Sequence, residues 1–485
     1  MRLLRLLLTP LRRPSRSNSY RLTYQKGEFE KNSSFFCSFR FIIVSLLYSK
    51  ITNMQEVTLW MLIPFVVMLL MIAVAPLVAE HWWESNRNKL IFTLLLSIPT
   101  ALFLTAYGFG ADVAHQLMFD YVPFIMLLLA LFVVTGGINV TGDIAATPTT
   151  NTLLLGLGWL LASFMGTTGA AMLMIRPLLQ INRQREHKVW TVLFFIALVA
   201  NCGGLLTPLG DPPLFLLYLR GASFEWFFSL VSQWAVVGIA LLVIYYFVDS
   251  FQYKKEDKLS LQRDNEEKEP IRVRGSINFL YLAMVIAAVV FLNQSYIPRM
   301  GDHHAPLYLR YLREIVLLVI VLLSLYSTKK EVRVANNFSW GPISEVAILF
   351  VGIFTTMTPA LMYLSAHAPS LGLDAPWQFY YSTGLLSSFL DNAPTAVAFH
   401  TVATGLPMVE GATLVAGIPE VLLKAIALGA VFFGAMTYIG NGPNFMVKAI
   451  AEQEGISMPS FFGYIFKFSL VVLLPVYVVV QLIFF

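Results

Sequence analysis

A nine-residue pattern occurs twice in this chain, each time inside an apolar stretch of membrane-spanning length. The two copies, Thr207–Phe215 and Thr437–Phe445, both read T-x-[LI]-G-[DN]-x-P-x-F. Glycine and proline interrupt a helix, and irregular polar segments at bilayer depth are tolerated only where they line a protected cavity. Matching interruptions in the two halves of a membrane protein indicate the binding site of a transporter.

A second pair of related segments lies upstream of the first. Leu161–Thr168 aligns with Leu386–Ala393, so Gly166 falls opposite Asp391. Both segments break long apolar stretches near their middle, which is typical of re-entrant hairpins. The alignment predicts a site with one neutral hairpin tip and one tip that carries an acid.

Composition restricts the class of protein. Of 485 residues, 57% are hydrophobic and 13% are charged, whereas soluble domains carry about 25% charged residues. The two cysteines, Cys37 and Cys202, are too few and too scattered for a disulfide framework or a metal site. These features predict an all-α polytopic membrane protein with no cofactor and no nucleic-acid partner.

The apolar stretches follow the same order in the two halves: three spans, a re-entrant hairpin, a broken span and a final span. We expect a first repeat over 54–249, a charged cytoplasmic linker over 250–275 and a second repeat over 276–485. The expected apolar segments are 57–79, 90–107, 121–138, 152–180, 189–220, 226–248, 276–294, 309–326, 343–364, 377–403, 419–451 and 460–484.

The distribution of Lys and Arg supports two inverted repeats. If each hairpin enters and leaves on one side, each half crosses the membrane five times and the halves are inverted. With the linker inside, the loops 108–120, 365–376 and 404–418 fall outside and contain no Lys or Arg. The exceptions on the outer side are Arg220, Arg299 and Arg310. This scheme predicts that Phe485 lies outside.

Residues 1–53 do not fit that scheme. They hold ten Lys/Arg and two acids, and the scheme would place them on the outer face. The segment is Arg- and Ser-rich, like a transit peptide, but the transporter-like pattern starts directly after Met54. We therefore expect translation to begin at Met54, and deletion of residues 1–53 to leave transport intact.

Asp391 is the most informative ionisable residue in the sequence, because it lies at the middle of an apolar hairpin. A carboxylate at bilayer depth costs about 2.5–3.5 kcal/mol on insertion scales. It can bind a cation when ionised and a proton when neutral, which suits ion coupling. The alternative role is an N-cap for the second arm of the hairpin. If Asp391 couples ions, Asp391→Asn abolishes exchange.

Asp211 follows Gly210 and precedes two prolines, so it lies at a helix break. Its carboxylate could cap the following half-helix or coordinate a cation together with freed carbonyls. Because the repeat counterpart is Asn441, we expect Asp211→Asn to be milder than Asp391→Asn. The remaining predicted ion- and substrate-binding residues are Ser163, Thr167, Thr168, Asn201, Thr207, Ser388, Asn392, Thr395, Thr437 and Asn444, with Asp391 and Asp211 as the Na⁺ ligands.

The segments Gly203–Pro213 and Ser388–Thr395 resemble those of the ion transporter superfamily. That group comprises D-type sodium/proton antiporters, arsenite permeases and citrate or dicarboxylate carriers. The resemblance covers about 57–484 and implies a two-repeat fold, elevator-type transport and a homodimer. Dicarboxylate carriers typically bear Ser-Asn-Thr at both hairpin tips, whereas this chain has Gly166-Thr167-Thr168 and Asp391-Asn392-Ala393. This departure favours the antiporter branch.

The sequence thus predicts a secondary transporter that exchanges Na⁺ for H⁺ across a bacterial inner membrane. The alternative is proton- or sodium-coupled transport of an anion such as citrate, a dicarboxylate or arsenite. An intramembrane enzyme is a third possibility, but acids and histidines do not converge on neighbouring helix faces. We expect small ions or a small anion, together with the lipid bilayer, to be the partners.

Overall fold

The computed structural model describes residues 57–485 except 267, 303 and 408–410. The predictions about residues 1–53 fall outside these residues. Val57–Phe485 form one compact unit.

The helices of the first half include two pairs that are separated by short breaks, after Met165 and after Leu198. Two short turns of helix, Leu59–Leu62 and Glu80–Trp83, flank the first span. The principal helices are α1 (Ile63–Val78), α2 (Asn86–Ala106), α3 (Gly110–Thr135), the hairpin arms α4 (Pro148–Met165) and α5 (Thr167–Ile181), the broken-span arms α6 (Val189–Leu198) and α7 (Pro212–Leu219), and α8 (Glu225–Tyr253).

The second half also contains two pairs of helices that are separated by short breaks, after Phe389 and after Phe433. The short helices Leu307–Arg310 and Lys330–Ala335 lie in its connections. The principal helices are α9 (Lys258–Glu266, in the linker), α10 (Ile277–Phe291), α11 (Leu312–Ser327), α12 (Gly341–His367), the hairpin arms α13 (Pro376–Phe389) and α14 (Asn392–Thr404), the broken-span arms α15 (Glu420–Phe433) and α16 (Gly442–Gln453), and α17 (Phe461–Phe484).

The all-α polytopic class is confirmed. Seven helical segments of the described chain are long and apolar enough to cross a membrane. They include α3, α8 and the first broken span, Val189–Leu206. Many of their large apolar side chains are exposed, which is the expected surface for a protein whose solvent is lipid. The inversion of the two halves remains a prediction.

The helix breaks occur where the sequence places glycine, proline and acid. In the first hairpin, Gly166 has a φ of 79°, a left-handed conformation that glycine adopts without a Cβ penalty. In the second hairpin, Leu390 and Asp391 separate α13 from α14. Proline lies at the start of α7 and directly after the first residue of α16, where its missing N–H removes no helical hydrogen bond.

The linker contains a strand that the sequence analysis did not predict. Strand β1 (Asn139–Asp143) pairs antiparallel with β2 (Glu269–Arg274), so the linker returns to the polar connection that precedes the first hairpin. Asp143 is buried, and its Oδ2 lies 3.5 Å from Arg183 Nε. A second, two-residue pair, β3 (Leu414–Val415) and β4 (Ile418–Pro419), precedes α15.

The half-helices of one repeat pack against those of the other. Helix α7, from the first broken span, packs on α14 of the second hairpin. Helix α5, from the first hairpin, packs on α16 of the second broken span. Outside this centre, α12 packs on α2 and α11 packs on α3. The centre of the molecule is therefore built jointly by both halves.

Candidate substrate and ion site

Asp211 lies at the point where its own broken span meets three other interrupted segments. Its side chain is 1% exposed. Oδ1 accepts hydrogen bonds from Thr167 Oγ1 at 2.8 Å and from Asn441 Nδ2 at 3.0 Å. Oδ2 accepts one from Asn392 Nδ2 at 2.6 Å. One carboxylate thus joins the first hairpin, the second hairpin and the second broken span through uncharged donors.

The two repeats brace their helix breaks in the same way. In the first half, the Thr207 hydroxyl donates to the Ser163 carbonyl and accepts from the Leu209 N–H, while the Ser163 hydroxyl donates to the Gly203 carbonyl. These side chains satisfy backbone groups that the interrupted helices leave without partners, as apolar surroundings require.

In the second half, Thr437 donates to the Ser388 carbonyl and accepts from the Ile439 N–H at 3.2 Å. The Ser388 hydroxyl donates to the Phe433 carbonyl at 3.2 Å. The predicted equivalence of Thr207 with Thr437 therefore extends to their hydrogen bonds.

Close backbone crossings also recur in the two halves. A Cβ at Gly210 would lie 1.9 Å from the Gly204 carbonyl oxygen, and a Cβ at Gly440 would lie 2.6 Å from that of Gly434. Contacts under 3.0 Å are essentially never made by real Cβ atoms. Glycine at these positions allows each broken span to fold back on itself beside the hairpin tip.

A chain of amides connects the two broken spans. Asn201 Nδ2 donates to Asn444 Oδ1 at 2.7 Å, and Asn201 Oδ1 accepts from Asn441 Nδ2 at 3.2 Å. Asn444 Nδ2 in turn donates to the Thr437 carbonyl at 2.9 Å. The three asparagines are buried, so these bonds fix the register of one break against the other.

Asp391 caps its own helix. Its Oδ1 accepts the Ala393 N–H at 3.0 Å, and its carbonyl accepts the Thr395 hydroxyl at 2.9 Å. The residue is partly exposed. Asp211, in contrast, makes no side-chain cap at the start of α7. The local sequence is compatible with a capping role for either acid. In the structure Asp391 is the helix cap, and Asp211 lies at the centre of the contacts between the interrupted segments.

Thr168 lies apart from the Asp211 contacts. It is partly exposed and lines a small apolar cavity of about 60 Å³ between the first hairpin tip and helices α3 and α12. Gly166 and Thr167 reach the same cavity from its hairpin side. Thr168 therefore lies on the seam between the interrupted segments and the surrounding spans.

One buried oxygen beside Asp211 has no hydrogen-bond donor among the described residues. Asn392 is 1% exposed, and while its Nδ2 donates to Asp211, its Oδ1 has no partner. A buried polar atom without a partner costs about 1–3 kcal/mol. An oxygen next to a carboxylate is a suitable ligand for a hard cation such as Na⁺.

Four helices begin at this centre: α5 at Thr167, α7 at Pro212, α14 at Asn392 and α16 at Gly442. A helix N-terminus carries a partial positive charge, which favours anions. The site therefore combines carboxylates for a cation with helix N-termini for an anion.

A charged cluster at the base of the first hairpin was missed by sequence reasoning. Arg185 is fully buried, and its Nη2 and Nε lie 2.8 Å and 3.4 Å from Asp249 and Glu256. Beside it, Asn151 and Asn182 exchange hydrogen bonds between the two hairpin arms. The available signal was an Arg in the loop after a hairpin and acids at the end of the following span, but these residues are far apart in sequence.

Comparison with known proteins identifies the family. A family profile described as "Putative citrate transport" matches residues 54–485. The chain belongs to this family. The predicted resemblance to ion transporters is confirmed at this level, and the sodium/proton antiporter branch remains a prediction.

Three mycobacterial proteins are similar to this chain. An uncharacterized transporter of Mycobacterium bovis is 25% identical over 363 residues, which cover 68% of this chain and 78% of the relative. A 46 kDa membrane protein of Mycobacterium leprae is 25% identical over 373 residues, covering 70% and 81%. An uncharacterized transporter of Mycobacterium tuberculosis matches with the same identity and coverage as the first. These findings make the chain a multi-pass membrane protein of a transporter family.

Proposed function

We propose that this protein is a secondary active transporter that moves a small carboxylate anion of the citrate class together with a coupling cation, H⁺ or Na⁺. The observation that carries the proposal is the buried Asp211 carboxylate, which side chains from both hairpins and the second broken span contact directly. Residues that meet only when all these segments are assembled suit a site whose occupancy controls their movement.

In this proposal, Asp211 and the unpartnered Asn392 Oδ1 bind the cation. The anion binds at the N-termini of α5 and α14, where the Thr168 hydroxyl and backbone N–H groups lie at the hairpin tips. Cation and anion bind side by side, so each reduces the electrostatic cost of burying the other. Such mutual stabilisation provides coupling without ATP.

The family favours anion transport over Na⁺/H⁺ exchange, although exchange remains a second candidate. The observation in its favour is that the three side chains that bind Asp211 are uncharged. A carboxylate without a fixed counter-charge is suited to competition between H⁺ and Na⁺. We propose neither an enzymatic activity nor a cofactor, since the family and the transporter relatives favour a transport protein.

The wider organisation is also part of the proposal. We infer a bacterial inner membrane, a homodimer and an elevator motion in which hairpins and broken spans move against the remaining spans. The small cavity at Thr168 lies between the first hairpin and the α3–α12 pair, where such a sliding surface is expected. Two inverted repeats would place the 250–275 linker in the cytoplasm.

The test is uptake into proteoliposomes that contain the full chain. Labelled citrate is supplied with an imposed H⁺ or Na⁺ gradient, with succinate and arsenite as competitors. We expect gradient-driven citrate accumulation in the wild type and a loss of about 100-fold in Asp211→Asn. The amide nitrogen of this variant would replace one carboxylate oxygen and direct hydrogens at the donors on that side, either Asn392 or Thr167 and Asn441. A lost charged interaction of about 1.5–3 kcal/mol corresponds to factors of this size.

The matched control is Asp112→Asn, an exposed acid in α3, which should transport like the wild type. A pH-sensitive dye inside the same vesicles reports exchange when Na⁺ is added without citrate. Exchange in the absence of any citrate uptake would favour the second candidate. Wild-type citrate uptake by Asp211→Asn would contradict the assigned role of Asp211.

A further inference from the structure

A second cavity lies at the far end of helix α7 from Asp211. Its volume is about 250 Å³, which is close to the lower end for small-molecule sites. Its walls come from α3, the end of α7 with the loop that follows it, the segment after α10, and the residues at the start of α11. We call it the arginine cavity. Its charged and aromatic lining includes Phe119, Asp120, Glu225, Tyr296, Arg310 and Arg313.

Most of the charges around the arginine cavity are already paired. Arg313 is buried, and its Nη2 lies 2.6 Å from Glu314 Oε1. Arg220 Nη2 lies 3.2 Å from Asp120 Oδ2. At the exposed rim, Glu225 accepts a hydrogen bond from the Tyr296 hydroxyl at 3.3 Å. These pairs account for the acids that line the cavity.

Arg310 is different from these paired groups. Its guanidinium lies 3.8 Å from the centre of the Phe119 ring, and its buried Nε has no hydrogen-bond partner among the described residues. The stacking holds the planar group against the Phe119 ring and limits its orientations. Arg310 is thus the cavity arginine that has no acidic partner among the described residues.

The position of the arginine cavity connects it to the candidate site. Helix α7 starts directly after Asp211 and ends at Leu219, which lines the cavity. Eight residues of helix extend about 12 Å. Arg313 also lies over the rings of Phe215 and Tyr218, 5.4 Å and 5.6 Å from their centres, on the same helix.

The sequence contained one indication of this cavity. Arg220, Arg299 and Arg310 were the exceptions to the positive-inside count, and two of the three belong to the cavity or to its ion pairs. Basic side chains are unusual on the predicted outer side, because Lys and Arg concentrate in cytoplasmic loops. A binding role explains the presence of such a side chain there.

We propose that the arginine cavity is an access site that binds a carboxylate of the substrate through the Arg310 guanidinium before the anion reaches Asp211. The ligand class, a small di- or tricarboxylate, rests on the proposed function. Because Arg310 has no acidic partner among the described residues, its charge is available to attract an anion to the entrance. The planar guanidinium forms paired hydrogen bonds with a carboxylate.

The test measures occupancy of the cavity without requiring transport. Ser295 is exposed and lines the cavity. Ser295→Cys is introduced into the full chain with Cys37→Ser, while the native Cys202 is buried. The rate of labelling by a neutral methanethiosulfonate reagent is followed with and without citrate or succinate, and the parent without Ser295→Cys gives the background.

We expect citrate to slow labelling at least fivefold. Arg310→Gln should abolish this protection and raise the KM for citrate uptake about tenfold, with kcat little changed. Arg310→Lys, which keeps the charge, should retain part of the protection. The control Arg299→Gln, exposed on the same loop and outside the lining, should behave as wild type.

Asp211→Asn should keep the protection, because the two sites are separate. Protection without any citrate transport would retain the access site and reject the proposed function. Transport without protection, or equal protection in Arg310→Gln, would reject the access site alone. Equal protection by phosphate, or by vesicles enriched in phosphatidylglycerol, would assign the cavity to a phosphate or lipid headgroup and also overturn the proposal.

Discussion

The two halves of this protein use the same bracing and different charges. Thr207 and Thr437 hold their hairpin tips through equivalent bonds to Ser163 and Ser388. The acids, however, lie on different elements: the first half has Asp211 on its broken span, and the second has Asp391 on its hairpin. The backbone geometry tolerates little variation because buried polar groups must be satisfied, whereas the chemistry of the site is free to differ between the repeats.

The anchoring of the hairpins differs as well. At the base of the first hairpin, Arg185 pairs with Asp249 and Glu256 in a fully buried cluster. At the base of the second hairpin, Gln378 Oε1 accepts the N–H groups of Asp374 and Ala375, both at 2.9 Å. One hairpin is held by ions and the other by neutral caps.

The largest expected effect tests this difference in anchoring. Arg185→Gln leaves two buried carboxylates without their cation and should destabilise the protein by about 3–5 kcal/mol. Gln378→Ala should cost about 0.5–2 kcal/mol, as for the loss of a helix cap. Thermal unfolding in detergent measures both. The control is Arg183→Gln, whose partly exposed ion pair with Asp143 should contribute less than about 1 kcal/mol. Equal losses of stability in Arg185→Gln and Gln378→Ala would show that the two hairpins are anchored equally strongly.

The next prediction moves the acid between equivalent positions. Asp211→Asn combined with Asn441→Asp keeps the composition and transfers the charge to the other broken span. We expect transport to stay about 100-fold below wild type, because the transferred carboxylate would face the oxygens of Ala200 and Asn201 that now accept from Asn441. The measurement is citrate uptake by the double variant. Recovery to the wild-type rate would mean that the two broken spans are chemically interchangeable.

A smaller effect is expected from the shared bracing. Thr207→Val and Thr437→Val keep the shape but leave buried carbonyl and N–H groups unpaired, at a cost of about 1–3 kcal/mol each. Thr437→Val should be slightly worse, since Thr437 Oγ1 also accepts the Gly440 N–H at 3.1 Å. Unfolding of each single variant measures this, and Thr105→Val, on an exposed hydroxyl in α2, is the control. A loss confined to one half would show that the equivalent bonds have unequal roles.

The smallest effect is expected at Asp391, which reverses the order expected from sequence. Asparagine caps a helix about as well as aspartate, so Asp391→Asn should change stability by only about a few tenths of a kcal/mol and keep measurable uptake. Asp391→Ala should cost about 0.5–2 kcal/mol through the lost cap. Stability and citrate uptake are measured together. Complete loss of uptake in a stable Asp391→Asn protein would restore Asp391 as the coupling acid.

Sequence patterns predicted the helix breaks well, because glycine at 166, 210 and 440, and the prolines close to Gly210 and Gly440, have only a few allowed local structures. They could not predict which acid is central. A local pattern fixes where Asp211 and Asp391 lie along the chain, but the direction of each side chain depends on partners far away in sequence. The β1–β2 pair was missed for a related reason, since the short segment Asn139–Asp143 forms a strand only against the linker.

The arrangement of the Asp211 partners also sets a sequence of events during synthesis. Asp211 and Thr167 emerge early, but Asn392 and Asn441 follow 181 and 230 residues after Asp211. While the ribosome makes the second half, the newly inserted carboxylate lacks two of its three donors in a medium that offers few substitutes. The nascent first half is therefore a natural client for insertion machinery or chaperones that shield polar groups in lipid, and it becomes independent of them only when the last broken span arrives.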